Sequence, residues 1–112
     1  MMNDLGTLLE SAGDDQELAG DLLDMFAEQA RGELEAMADL VRTGDSKQMA
    51  TIAHKLVGSA VACGFDGLSK ELRAMELRCL QGLPDDVGKQ IDALRRLFEE
   101  SCIEMGALLA KW

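Results

Sequence analysis

The sequence predicts an all-α fold, an antiparallel up-and-down four-helix bundle preceded by a short additional N-terminal helix. Three observations predict it. Apolar residues recur at three-and-four spacing over long segments, whereas strict alternation is nowhere sustained. Glycine and aspartate clusters punctuate those segments at intervals a helix fills. The core must be built from Leu, Met, Ala, Val and Ile, because the chain has three Phe, one Trp and no Tyr, a composition that favours helices over sheets. At 112 residues the chain is expected to be a single domain with one core.

Leu5, Leu8 and Leu9 mark the short first helix, which Gly13-Asp14-Asp15 ends. Asp14 or Asp15 then caps a long helix over 16–42, with Leu18, Leu22, Met25, Phe26, Ala30, Leu34, Met37, Leu40 and Val41 on its buried face. Thr43-Gly44 stops it, and Asp45 with Gln48 forms a capping-box pattern for a helix over 46–63 that ends at Gly64. Phe65 and Asp66 read as the N′ and N-cap of a helix over 67–81, with Leu68, Leu72, Met75 and Cys79 inward. Gly82 closes that helix. Pro84 suits the first turn of a last helix reaching about 110, whose core side is Val87, Ile91, Leu94, Leu97 or Phe98, and Ile103. Connections of two to four residues make neighbouring helices antiparallel.

Charge narrows the function. The net charge of −10 argues against nucleic acid, since no general attraction to phosphates can develop. Residues 1–45 hold twelve acids and two arginines, whereas 47–73 hold Lys47, Lys55, Lys70 and Arg73 against Asp66 and Glu71. The one histidine, His54, therefore lies in the only stretch of positive balance. Cys63, Cys79 and Cys102 are odd in number, with no C-x-x-C pair, and read as reduced buried thiols. The Met-Met-Asn-Asp start has no secretory pattern and no apolar run approaches the ~20 residues of a membrane span, so a cytoplasmic protein is expected. No Gly-rich nucleotide loop and no preorganised acidic metal cluster is present, and with one histidine and no Glu-x-x-His pair a metal-dependent bundle enzyme is a poor reading.

The third predicted helix is the informative one. At roughly 100° per residue, Met49, Ile52, Ala53, Leu56, Ala60 and Cys63 cluster as its core side. His54 falls roughly 140° from that centre, sharing its side with Lys47, Ala50, Thr51, Gly58 and Val61. On the residues alone His54 is either a reactive surface imidazole or a solvated histidine with no role. Gly58 costs ~1 kcal/mol in mid-helix relative to Ala and stands at i+4 from His54. It either clears space for a partner to approach the ring, relieves close helix packing, or is accidental.

Ala53-His54-Lys55-Leu56-Val57-Gly58-Ser59-Ala60, with Gly64 ten residues after the histidine, resembles the signature of histidine-containing phosphotransfer (HPt) domains of two-component phosphorelays. Leu23-Asp24-Met25-Phe26 through Gly44-Asp45 is similar to the family's preceding helix and turn, and Leu68 through Leu77 to its following helix, so the likeness spans about 90 residues. The resemblance implies a single HPt-like domain over 1–112, with its core bundle at about 15–111. It implies a carrier with no kinase activity of its own. His54 would take a phosphoryl group from a receiver-domain aspartate and pass it to another receiver, in a response regulator or a hybrid histidine kinase. No cofactor is expected on this chain, since the receiver brings the Mg²⁺, and a monomer is expected.

The resemblance also assigns supporting residues. The family often has lysine three residues after the histidine, but this chain has Val57. Local cationic charge would then fall to Lys47, Lys55 or Arg73. Ser59 matches a residue that can hydrogen-bond near the ring. Glu76 matches a polar residue that can orient it, although a plain solvated acid reads equally well. Gly58, Thr51, Val57 and Val61 would meet the partner, Val57 and Val61 as an apolar patch with leucines of the first helix, unless those leucines simply pack on the bundle. The alternative from another class is a helical adaptor or anti-activator that binds a signalling partner without phosphoryl chemistry.

Overall fold

The structure, a computed structural model, describes residues 3–112. Five helices follow one another: α1 (Leu5–Ser11), α2 (Gln16–Leu40), α3 (Ser46–Ala62), α4 (Asp66–Gln81) and α5 (Val87–Ala110). No strand occurs among the described residues. Helices α2 to α5 form the antiparallel bundle and α1 packs against α2, α3 and α5, the described residues together measuring 42 Å in their longest dimension. The most extensive pairing is between α3 and α4.

Local chemistry starts and stops these helices largely where the sequence places them. Asp4, Asp15 and Asp45 each accept a hydrogen bond from the backbone N–H three residues on, satisfying amides that the first turn leaves without partners. Of the two candidate caps for α2 it is Asp15 that serves, while Asp14 sits in the preceding turn at φ +62°. Helix α3 closes in a Schellman motif: Phe65 N–H donates to the Ala60 carbonyl at 2.9 Å and Gly64 N–H to that of Val61 at 3.2 Å. Gly64 has φ +82°, and a Cβ there would collide with the Asp4 carbonyl. The Asp4 N–H in turn donates to the Gly64 carbonyl at 2.7 Å, which ties the start of α1 to the end of α3.

The short link makes Phe65, not Asp66, the residue that precedes α4, because Phe65 is drawn wholly into the core. Its ring stacks on Phe26 at 4.8 Å, and Phe26 meets Phe98 edge-on at 6.2 Å, joining α2, the start of α4 and α5. Such pairs add ~0.5–1.5 kcal/mol beyond their area.

Other expectations are corrected by packing. Helix α2 ends at Leu40, with Val41 and Arg42 in the following turn. Its buried stripe is Ala19, Leu23, Phe26, Ala30, Leu34 and Met37, which leaves Leu18 and Met25 exposed. The apolar sector of the sequence is wider than the seam the neighbours cover, and small Ala19 and Ala30 take central places in it. In α5 the seam runs Val87, Ile91, Leu94, Phe98, Ser101, Met105 and Leu109, so Ile103 points outward. Pro84 lies in a turn ahead of α5, its carbonyl accepting from Val87 N–H at 3.1 Å. Among the described residues no helix is long and apolar enough to cross a membrane.

Candidate functional site

His54 sits in the middle of α3 with its side chain 69% exposed, on the face predicted from periodicity. The ring does not swing freely. Glu76, one α-helix away on α4, approaches its Nδ1 with Oε2 at 2.7 Å. Glu76 is itself buried, and only 11% of its side chain is accessible. An ionised carboxylate accepts only, so Nδ1–H is the donor in this contact, and in the neutral ring the lone pair lies on Nε2. The close α3–α4 pairing makes the contact possible: α4 runs antiparallel, bringing residue 76 level with residue 54.

The other oxygen of Glu76, Oε1, is buried and has no hydrogen-bond partner. The Arg73 guanidinium, one turn earlier on α4, stands 3.7 Å from it, near enough for attraction and too far for a hydrogen bond. Arg73 therefore attends the Glu76 carboxylate. The ring borders a hollow of about 250 Å³ lined by Lys47, Ala50, Thr51, His54, Glu76 and Leu80. Lys47 is thus the cation that shares the hollow with the imidazole. Thr51 spends its hydroxyl on the Lys47 carbonyl at 3.0 Å.

The remaining candidates are placed elsewhere. The Lys55 ammonium reaches Glu33 on α2 at 3.4 Å. Ser59 lines a separate groove with Leu22, Met25 and Cys63 on the α2 side, so it does not sit near the ring as the resemblance implied. The helix explains this, since five residues turn Ser59 roughly 140° from His54. Val57 is only 8% exposed and belongs to the core, which removes it from the expected docking surface, and Leu8 and Leu9 of α1 are likewise buried. Ala50, expected on the solvent side, is buried beneath the hollow. Val61 is exposed by about half. Gly58 is exposed, and a Cβ built on it would meet nothing within 4 Å. Close helix packing therefore does not explain this glycine.

Burial raises all three cysteine thiols above their ordinary range, Cys102 up to about 11. At neutral pH they remain protonated and are poor nucleophiles beside the histidine. Among the described residues no three His, Cys, Asp or Glu side chains are grouped to hold a metal ion.

Leu80 is the lining residue that sequence reasoning missed. It is 64% exposed and stands one turn beyond Glu76, at the i+4 spacing that puts both on one side of α4. That spacing was visible in the sequence, but it becomes informative only once Glu76 is known to face His54.

A helical bundle that carries one solvent-facing imidazole, steered from behind by a buried carboxylate, defines a surface-histidine module. The chain belongs to the Hpt domain family, whose model matches residues 21–103. Membership gives it a phosphotransfer role in phosphorelays, as a carrier of the group. Among solved structures it is similar in fold to histidine-containing phosphotransfer protein B (HptB) from Pseudomonas aeruginosa PAO1. That likeness has a TM-score of 0.85 at 18% identity and covers 99% of this chain and 96% of the other. Comparison with curated proteins gave no match.

The burial of Val57 changes what a lysine there should do. Val57→Lys is expected to lower stability by about 1–3 kcal/mol, because a buried apolar side chain is lost and a charge must work its way out. Its stem is long enough to carry the ammonium to the surface about 60° round the helix from His54. Thermal unfolding should show the loss, while acceptance from a small phosphodonor should speed up. Lower stability with an unchanged acceptance rate would show that a cation at position 57 contributes nothing to the chemistry in this protein.

Proposed function

We propose that His54 is the phosphoryl acceptor of this chain, through Nε2. The observation that carries the reading is the 2.7 Å contact between Nδ1 and the buried Glu76 carboxylate, made by a side chain that is otherwise 69% exposed. The Nε2 lone pair attacks the phosphorus of an aspartyl phosphate in line. The N–P bond forms as the P–O bond to the aspartate breaks, and that electron pair leaves on the aspartate carboxylate. Positive charge developing on the imidazole is balanced by the ionised Glu76 carboxylate, and the proton stays on Nδ1. The reverse sequence passes the group to a second aspartate.

Phosphoryl transfer of this kind needs positioning and charge neutralisation. Glu76 supplies positioning, and Lys47 adds positive potential in the hollow, worth under ~1 kcal/mol at an exposed site and screened by salt. The Mg²⁺ belongs to the receiver. The partners are receiver domains of a response regulator or a hybrid histidine kinase, met in the cytoplasm by a monomer whose net charge of −10 opposes self-association. Incubation with a phosphorylated receiver, or with phosphoramidate, tests the reading. The expected product is an acid-labile, base-stable label on the chain. Binding to a receiver with no label under either condition would instead support an adaptor.

A further inference from the structure

We infer that Leu80, on α4, is a specificity-determining contact for the receiver domain, which seats an apolar side chain next to its aspartyl phosphate against this leucine. The inference rests on the phosphotransfer reading of His54. Three observations carry it. Leu80 is 64% exposed and lines the same hollow as His54 and Glu76. Leu77, also on the outer side of α4, is 51% exposed, so the apolar surface continues away from the ring. Of the apolar patch expected from the sequence, Val57, Leu8 and Leu9 are buried and Val61 remains exposed, so Leu80 supplies exposed apolar surface that the buried residues do not.

The occupant follows from geometry and charge. A specific interface covers about 800 Å² on each partner. A protein that brings a phosphoryl group in line with Nε2 must centre that footprint on His54, and Leu80, one helical turn from the carboxylate that touches the ring, falls inside it. Lys47 lines the hollow and Arg73 offsets the Glu76 carboxylate, and the positive charge left beside the ring suits the anionic phosphoaspartyl site of a receiver. A second copy of this chain is the poorer occupant, because two molecules of net charge −10 repel. Isolated exposed leucines are ordinary on protein surfaces. This one borders the only histidine of the chain.

The test uses the full chain carrying Leu80→Gln, with Ile103→Gln as a control on a more exposed residue of α5 that lines no part of the hollow. Each is assayed with phosphoramidate and with a phosphorylated receiver that labels the wild type. The expected result for Leu80→Gln is a KM for the receiver raised about ten-fold, as for loss of a contact worth about 1.4 kcal/mol. Its phosphoramidate rate should stay within two-fold of wild type, and Ile103→Gln should be unchanged in both assays. Receiver-dependent transfer by Leu80→Gln at the wild-type KM, with normal labelling, overturns the inference and leaves the phosphotransfer reading standing. An equal loss in Ile103→Gln also overturns it, as does sedimentation showing that wild type forms a dimer which Leu80→Gln abolishes. Failure of the wild type to label with either donor removes the phosphotransfer reading itself, and the inference with it.

Discussion

His54→Gln is expected to abolish phosphoryl acceptance while leaving the fold intact. The chain has one histidine, and the three thiols are held protonated by burial, so no second nucleophile stands ready to take over. The cost in stability should be under ~1 kcal/mol, the range of surface substitutions, because the side chain is 69% exposed. Glutamine also retains an N–H donor to offer the Glu76 carboxylate. The measurements are label incorporation from phosphoramidate and from a phosphorylated receiver, with thermal unfolding alongside. Retained labelling would place the acceptor elsewhere. A loss of several kcal/mol would mean that the ring contributes to the core and that its assignment to the solvent face is wrong.

At Gly58 stability and transfer should move in opposite directions. Gly58→Ala should gain up to ~1 kcal/mol, since a mid-helix glycine costs about that much and the added Cβ meets nothing. Gly58→Gln should keep most of that gain yet cut receiver-dependent transfer at least ten-fold. The reason is directional. Side chains on a helix lean toward its N-terminus, so a long side chain at 58 lies over the turn that carries His54. A loss above ~1.4 kcal/mol in productive docking is ten-fold in rate. Phosphoramidate, being small, should still reach Nε2 and be slowed less. Normal exchange with the receiver by Gly58→Gln would show that the open space beside the ring serves no approach. A destabilised Gly58→Ala would show that the glycine answers a packing need instead.

Most of the bundle was legible in the sequence because helix periodicity, aspartate caps and glycine stops are local properties. The solvent-facing direction of His54 came from the same arithmetic, since Met49, Ile52, Ala53, Leu56 and Ala60 define a core side that excludes it. Where the reading went astray, the deciding quantity was the width of a contact. Leu18, Met25 and Ile103 fit an apolar sector in one dimension, but the neighbouring helices bury a narrower seam. Phe65 was displaced from its expected N′ position because its ring is needed against Phe26.

The sequence by itself determined the helices, the single histidine in the one stretch of positive balance, the glycine at i+4 from it, and the family signature around both. All of these depend on residues close together along one helix. The tertiary structure decided which groups serve the ring. It chose Glu76 as the partner of Nδ1, turned Lys55 toward Glu33 and Ser59 toward the α2 groove, drew Val57 into the core, and put Leu80 at the rim. Those outcomes follow from how far α3 and α4 slide along each other and how closely they pack. No pattern within either helix specifies that register, because the side chains that set it come from both helices at once.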